Sequence, residues 1–179
     1  DFSPSKFLRK FLTKNGFTEV INFQFSNKDE DKSISIDNPL DQNKNKIRTS
    51  LKNSLLENLL FNERRQKSSI KLFEVSDIYT IDSRGDLHIK KVMGLIASGH
   101  VANNYEDFSK KIDTQFIDSI FRELSIDVSK YLSRIDRKLL DTKRKEEILF
   151  LEIPLEIFEG TFNDEDNGQL DENINFFKY

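Results

Sequence analysis

Few residues in this chain could carry chemistry. Arg48 stands just ahead of a leucine-rich segment, in Ile47-Arg48-Thr49-Ser50-Leu51. A planar guanidinium can grip a carboxylate or a phosphate through paired hydrogen bonds. The plainer role for Arg48 is to hydrogen-bond loop carbonyls beside a helix start. Glu74 lies between Phe73 and Val75 in an apolar run. A carboxylate buried there needs partners. Arg48 or a backbone donor could supply them, and a catalytic role is the alternative. The imidazoles are His88 and His100, and there is no cysteine. Two lone histidines do not make a ligand set, so both are expected at the surface and no metal site is expected.

Elements must hold Arg48 and Glu74 in place. Ser3-Pro4 reads as a helix start, a hydroxyl cap followed by proline. Phe7, Leu8, Phe11 and Leu12 recur at helical spacing, and Asn15-Gly16 ends the helix. Ile21, Phe23 and Phe25 alternate with Asn22 and Gln24, which predicts a strand with one buried face. Ile34 and Ile36 suggest a short strand stopped by Asn38-Pro39. Leu51, Leu55, Leu56, Leu59 and Leu60 form a helical stripe that Thr49 or Ser50 can cap. The run from Ile70 to Tyr79 is apolar on both faces, as is Val92 to Ala97, so both are expected in the centre of a sheet. The Asp82–Asp86 turn between them predicts an antiparallel hairpin. Gly94 signals a bulge or a close backbone approach. Ile112, Phe116, Ile117, Ile120, Phe121 and Leu124 make the strongest helical stripe. Segment 127–147 is compatible with a helix, and Ile148–Ile153 reads as a strand ending at Pro154.

These elements predict an α+β fold. Its antiparallel sheet is drawn from segments near 18–25, 70–80, 91–98 and 147–153, with helices at 4–14, 51–63 and 113–125. Residues 1–158 are expected to form the core domain. Residues 159–179 are expected to be an acidic linker and the start of a further element. The chain lacks an initiator methionine, which suggests a piece of something longer. Twenty-eight basic against 31 acidic residues leave a net charge of −3, which argues against a dedicated nucleic-acid grip. The missing cysteines favour a cytosolic home, and no apolar run suits a membrane span.

Four segments in order carry a family resemblance. Phe7-Leu8-Arg9-Lys10-Phe11-Leu12 followed by Gly16-Phe17-Thr18-Glu19-Val20 is similar to the first motif of class II aminoacyl-tRNA synthetases. Asn38-Pro39-Leu40 followed by Arg48-Thr49-Ser50-Leu51 is the most specific signature. Leu72 to Tyr79 resembles the first strand of motif two, and Met93 to Gly99 resembles the returning strand. Over residues 3–100 the chain thus resembles the core domain of the β subunit of bacterial phenylalanyl-tRNA synthetase. The second half departs from that pattern, because the family's glycine-rich segment before the last strand is missing.

The resemblance implies a class II synthetase-like fold without catalytic equipment. An active site of that class needs an arginine after the motif-two strand to clamp the α-phosphate. Thr80 follows Tyr79 here, and no later segment supplies the glycines and arginine of motif three. No catalytic, cofactor-binding or metal-binding residue is therefore expected in this chain. The resemblance assigns ATP and Mg²⁺ to the whole enzyme, and implies the α subunit as partner and tRNA(Phe) as partner of the assembly. Phe7, Leu8 and Phe11, with neighbours up to Phe25, are expected to divide between the core and an interface with the α subunit or a second copy. Most of the phenylalanines at 7, 11, 17, 23 and 25 are expected in the core. Arg48 and Glu74 complete the structural or interface candidates. Arg64-Arg65 and Lys67 could face tRNA, but cations also suit a solvated helix end. A free-standing tRNA- or protein-binding module of the same fold is the alternative function. An active small-molecule ligase is disfavoured by the missing motif arginines and glycines.

Overall fold

The structure, a computed structural model, describes residues 3–26, 34–39, 45–102, 109–140 and 142–159. Its elements run α1 (Pro4–Lys14), β1 (Thr18–Glu19), β2 (Phe25–Ser26), β3 (Ile34–Ser35), β4 (Lys46–Ile47), α2 (Lys52–Arg64), β5 (Ser69–Ile81), β6 (Leu87–Gly99), α3 (Thr114–Arg122), β7 (Leu132–Ile135), β8 (Ile148–Pro154) and α4 (Glu156–Glu159). The acidic segment assigned to 160–179 and Leu40 of the Asn38-Pro39-Leu40 signature lie outside the described residues.

The hairpin of β5 and β6 is the spine. Its thirteen-residue strands pair without interruption from Ser69↔Gly99 to Ile81↔Leu87. Asp82 shapes the turn by accepting the backbone N–H groups of Arg84 and Asp86 at 2.8 and 3.0 Å. Gly85 supplies the positive φ, +92°, that the turn requires. His88 bonds the Asp82 carboxylate, and with those two backbone donors it holds the carboxyl below its ordinary range. The main sheet runs β1-β5-β6-β8-β7. Every pairing in it is antiparallel except β1–β5, which is parallel at Thr18↔Leu72 and Glu19↔Phe73. The chain between those two strands, which includes α2, is long enough for the crossover that a parallel pair needs.

Strand alternation sorts the core into two layers. Phe73, Val75, Met93, Leu95, Leu149, Leu151 and Ile153 pack with Leu8, Phe11 and Leu12 of α1 and Ile117, Ile120 and Phe121 of α3. Leu72, Ile78, Val92, Ile96 and Phe150 face the other way, onto Leu51, Leu55 and Leu59 at α2. Gly94 lies in that second layer without a bulge. A Cβ on it would stand 2.9 Å from Leu51 Cδ1 and 3.0 Å from Leu55 Cδ1, so the glycine marks a close approach of helix to sheet.

Two sequence expectations are corrected, and the segment left open at 127–147 takes a definite form. Ile21, Phe23 and Phe25 do not present a buried face; they are 92%, 78% and 45% exposed. The chain leaves β5 after the Val20 N–H bonds Phe73 O, and Asn22 and Gln24 turn inward instead. Phe23 and Phe25 are therefore not core residues, whereas Phe11 and Phe17 are buried and Phe7 is half-buried. Segment 127–147 forms no α-helix among its described residues. It supplies the edge strand β7 and a 3-10 turn at Arg137–Leu139, with Leu139 exposed. The Ser3 hydroxyl makes no capping hydrogen bond, although Pro4 does open α1. The short strand at Ile34 belongs to a separate three-stranded sheet, β2-β4-β3.

Leu55 is fully buried and Leu56 only partly so, on the rim of the same layer. Leu55→Ala is expected to lower unfolding stability by about 2–5 kcal/mol, with a smaller loss for Leu56→Ala. Urea melts of the two variants check both the size and the order.

Candidate functional site

The Arg48 side chain lies under β5 and ends on Glu74. Its Nη1 donates to Glu74 Oε1 at 2.9 Å, with both side chains almost wholly buried (4% and 3% exposed). Its Nη2 donates to Ser76 Oγ at 2.6 Å, and its Nε to the Asp77 carbonyl at 3.4 Å. The partners are thus a strand carboxylate, a hydroxyl and a strand carbonyl, rather than loop carbonyls beside the helix. Glu74 Oε2 accepts from Asn22 Nδ2 at 2.8 Å, and Asn22 Oδ1 accepts from Asn58 Nδ2 at 2.8 Å. One polar chain therefore links α2, the segment after β1, β5 and the approach to α2. Burial with these fixed donors satisfies the carboxylate and leaves Arg48 committed to it.

Local backbone bonds place the arginine. The Arg48 N–H bonds Gln24 O at 3.0 Å, and Arg48 O accepts from the Tyr79 N–H at 3.3 Å. Gln24 also accepts the Tyr79 hydroxyl through Oε1 at 3.0 Å. Gln24 and the Arg48 segment are thereby tied to Tyr79 on the outer half of β5. Thr80 lies next to Tyr79 on that half, partly exposed, facing His88 across the hairpin.

A second carboxylate shares the Glu74 row. Glu74, Gly94 and Glu152 are register partners across β5, β6 and β8. Glu152 Oε2 accepts the Leu51 N–H at 2.7 Å and the Ser50 hydroxyl at 3.0 Å, while Ser50 Oγ accepts the Lys52 N–H at 3.1 Å. Leu51, rather than Thr49 or Ser50, is the N-cap residue of α2, and Ser50 Oγ and the Glu152 carboxylate accept N–H groups at the helix entrance, where negative charge suits the helix dipole. At the other end of α2, Glu63 is buried against Arg137, which donates from Nη1 and Nη2 at 3.1 and 2.6 Å. Arg137 Nη2 also bonds Ser98 Oγ at 2.9 Å, and its Nε bonds the Glu146 carbonyl. Sequence reasoning missed Glu152 and Glu63. Each carries the signal that singled out Glu74: an acid flanked by Leu151 and Ile153, and an acid one turn after Leu59 on an apolar stripe.

The interface candidates divide. Leu8 and Phe11 are buried, and Phe7 is half-buried and stacks on Phe11 with ring centroids 6.0 Å apart. The exposed members of that set are Ile21, Phe23 and Phe25. His88 is exposed on Asp82, and His100 is half-buried in a bridge to Lys111. Arg65 stacks 3.4 Å over the Phe61 ring at the end of α2. Among the described residues no cluster of His, Cys, Asp or Glu could hold a metal ion, and no helix is long and apolar enough to cross a membrane.

The arrangement anchors and positions; it offers no free acid–base pair around Arg48. Removing the guanidinium should strand a buried carboxylate, so Arg48→Ala is expected to cost about 3–5 kcal/mol. The double variant Arg48→Ala/Glu74→Ala should lose less than the sum of the two single losses. Denaturant melts across the four-member cycle measure that coupling.

Comparison with known proteins gives a consistent picture. Residues 3–148 match the family described as phenylalanyl tRNA synthetase beta chain CLM domain, well beyond residues 3–100 that carry the resemblance in sequence. A phenylalanine–tRNA ligase beta subunit from Buchnera aphidicola is 32% identical over 101 residues, 52% of this chain and 12% of the relative. One from Coxiella burnetii is 28% identical over 59% of this chain and 14% of the relative. One from Thermotoga maritima is 25% identical over 84% of this chain and 24% of the relative. The chain thus spans between 12% and 24% of these relatives' lengths. A pyrrolysyl-tRNA synthetase structure from Desulfitobacterium hafniense superposes with a TM-score of 0.55 at 16% identity, over 88% of this chain and 68% of that one. That likeness establishes a class II synthetase-like fold.

Proposed function

The chain belongs to the phenylalanyl-tRNA synthetase beta chain family, and from that premise we propose that it is a non-catalytic scaffold of the ligase, supporting attachment of phenylalanine to tRNA by the α subunit. In this reading ATP and Mg²⁺ serve the α subunit, and tRNA(Phe) is met through the whole assembly in the cytoplasm. The observation that carries the reading is the fate of the guanidinium beside the motif-two strand. Arg48 is locked onto Glu74 and Ser76, and Thr80 follows Tyr79 where a phosphate clamp is needed. Both faces of the central strands are filled with their own side chains, one by α1 and α3 and the other by α2. Strand β5 itself carries no arginine, and Arg48 beside it is committed to Glu74, which supports that reading.

The contact surface in this reading is the outward face of Ile21, Phe23 and Phe25, continuous in sequence with the first motif. Exposed apolar side chains this close in sequence suit a partner of apolar interface core. The structure places the buried share of the motif, Leu8, Phe11, Leu12 and Phe17, in the domain's own core. A second copy of the chain is the occupant expected when the α subunit is absent.

Two outcomes test the reading. The purified chain should show no phenylalanine-dependent ATP–pyrophosphate exchange; exchange in a preparation free of α subunit would overturn it. Ile21→Asp/Phe23→Asp should abolish co-purification with the α subunit and leave the melting temperature within a few degrees of the parent. Full capture by that variant would place the interface elsewhere.

A further inference from the structure

An open cleft of about 220 Å³ lies where the end of α2 meets the segment leading into β8, lined by Leu60, Glu63, Arg64, Thr142, Lys143 and Arg144. Its charge is one-sided. The single acid in the lining, Glu63, is held by both terminal nitrogens of Arg137 and by the Thr142 hydroxyl at 3.3 Å. The carbonyl of Glu63, which would otherwise present the negative end of α2, accepts from Arg144 Nη2 at 3.3 Å. Arg64 and Lys143 are exposed, and among the described residues no carboxylate pairs with either. Glu146, close by, has its carboxyl held below the ordinary range. Its own backbone N–H and that of Lys145 do so, together with the charges of Arg144 and Arg137, against a partial burial that opposes them.

We propose that this cleft binds a phosphate group. Three cations line a concave surface whose one acid among the described lining residues, Glu63, is already paired with Arg137, and the exposed Arg64 and Lys143 have flexible side chains that can close on a tetrahedral anion. The Thr142 hydroxyl donates its one proton to Glu63 and accepts the Arg144 N–H, so it fixes the wall of the cleft and the cations supply the donors. The same chemistry is offered by the backbone of an RNA strand and by a free phosphate. The site does not depend on the scaffold reading.

The test uses the whole chain. Inorganic phosphate is titrated while backbone amide shifts of residues 60–64 and 142–144 are followed. A short RNA hairpin is titrated in parallel by fluorescence anisotropy at two salt concentrations. Saturable shifts confined to the cleft, lost in Arg64→Ala/Lys143→Ala, are expected. If RNA is the natural source, the same variant should bind the hairpin about tenfold more weakly, with a salt slope reduced by about one to two. Saturable phosphate binding without an RNA effect assigns the site to free phosphate. Unsaturable shifts, or variant binding equal to the parent in both titrations, overturn the site. An equal loss of RNA binding from Lys90→Ala/Lys91→Ala, on the exposed half of β6, would also overturn it by showing diffuse attraction instead of a site. Capture of the α subunit by Arg64→Ala/Lys143→Ala should be unchanged, so failure here is distinguishable from failure of the scaffold reading.

Discussion

The seating of α2 on the sheet is the constraint on which the rest of the structure depends. It is set by one row of three residues, Glu74, Gly94 and Glu152, across β5, β6 and β8. Gly94 removes the side chain that would collide with Leu51 and Leu55. Glu152 fixes the first turn of the helix from below. Glu74 fixes Arg48 just ahead of that turn. Acids in central strands are costly unless every oxygen finds a donor. Here that requirement becomes a positional specification. The helix must start where Glu152 can reach the Leu51 N–H, and the approach must pass where Arg48 can reach Glu74. A buried pair of this kind is weak evidence for stability relative to an apolar replacement. Its stronger effect is to exclude alternative placements of α2.

The same geometry bears on function through what it leaves available. A guanidinium beside the motif-two strand is the kind of group that a phosphoryl reaction needs. In this chain that guanidinium is neutralised by a carboxylate on the strand itself, and a hydroxyl completes its coordination. The guanidinium is therefore committed to holding the fold together. On the scaffold reading this is coherent: relieved of chemistry, the sheet face can be filled by α2, and the site residues become the fastening of the helix.

Long, regular signals were legible in the sequence, and compensated ones were not. The helices at α1, α2 and α3 and the β5–β6 hairpin follow directly from period and turn chemistry. The four ordered segments led to the family before any geometry was known. The fit of Arg48 to Glu74 was one of the possibilities that burial rules allow. Strand β7 was obscured because Leu132-Ser133-Arg134-Ile135 sits on an edge, half-exposed, with no clean alternation. The Glu63–Arg137 pair spans 74 residues, and no local pattern predicts a contact at that range. The segment Ile21 to Phe25 alternates in sequence, but of these residues only Phe25 lies in a strand, and the polar Asn22 and Gln24 are the ones turned inward. Hydrophobicity names the apolar side as the inner one, but here Glu74 overrides that preference by demanding Asn22.

That inversion can be weighed. Exchanging the two sides of the segment would turn Ile21 and Phe23 inward and Asn22 outward. Burying two such side chains would contribute roughly 1.5–3 kcal/mol each. The exchange would also remove Asn22 from Glu74 Oε2 and from Asn58, leaving a buried carboxylate oxygen without its donor. An unsatisfied buried charged group costs more than the about 1–3 kcal/mol of a neutral one. It would further separate Gln24 from Tyr79 and from the Arg48 N–H. Within a single chain the polar network therefore prevails, and the apolar side remains in water. Scattered exposed hydrophobics are ordinary on a protein surface. Three exposed within five residues, beside a satisfied polar network, are a denser group than scatter supplies. A partner that covers Ile21, Phe23 and Phe25 gains the apolar burial without disturbing Glu74. Neither rearrangement of this chain nor truncation of its core achieves both at once, and that is the physical case for an interface at the end of the first motif.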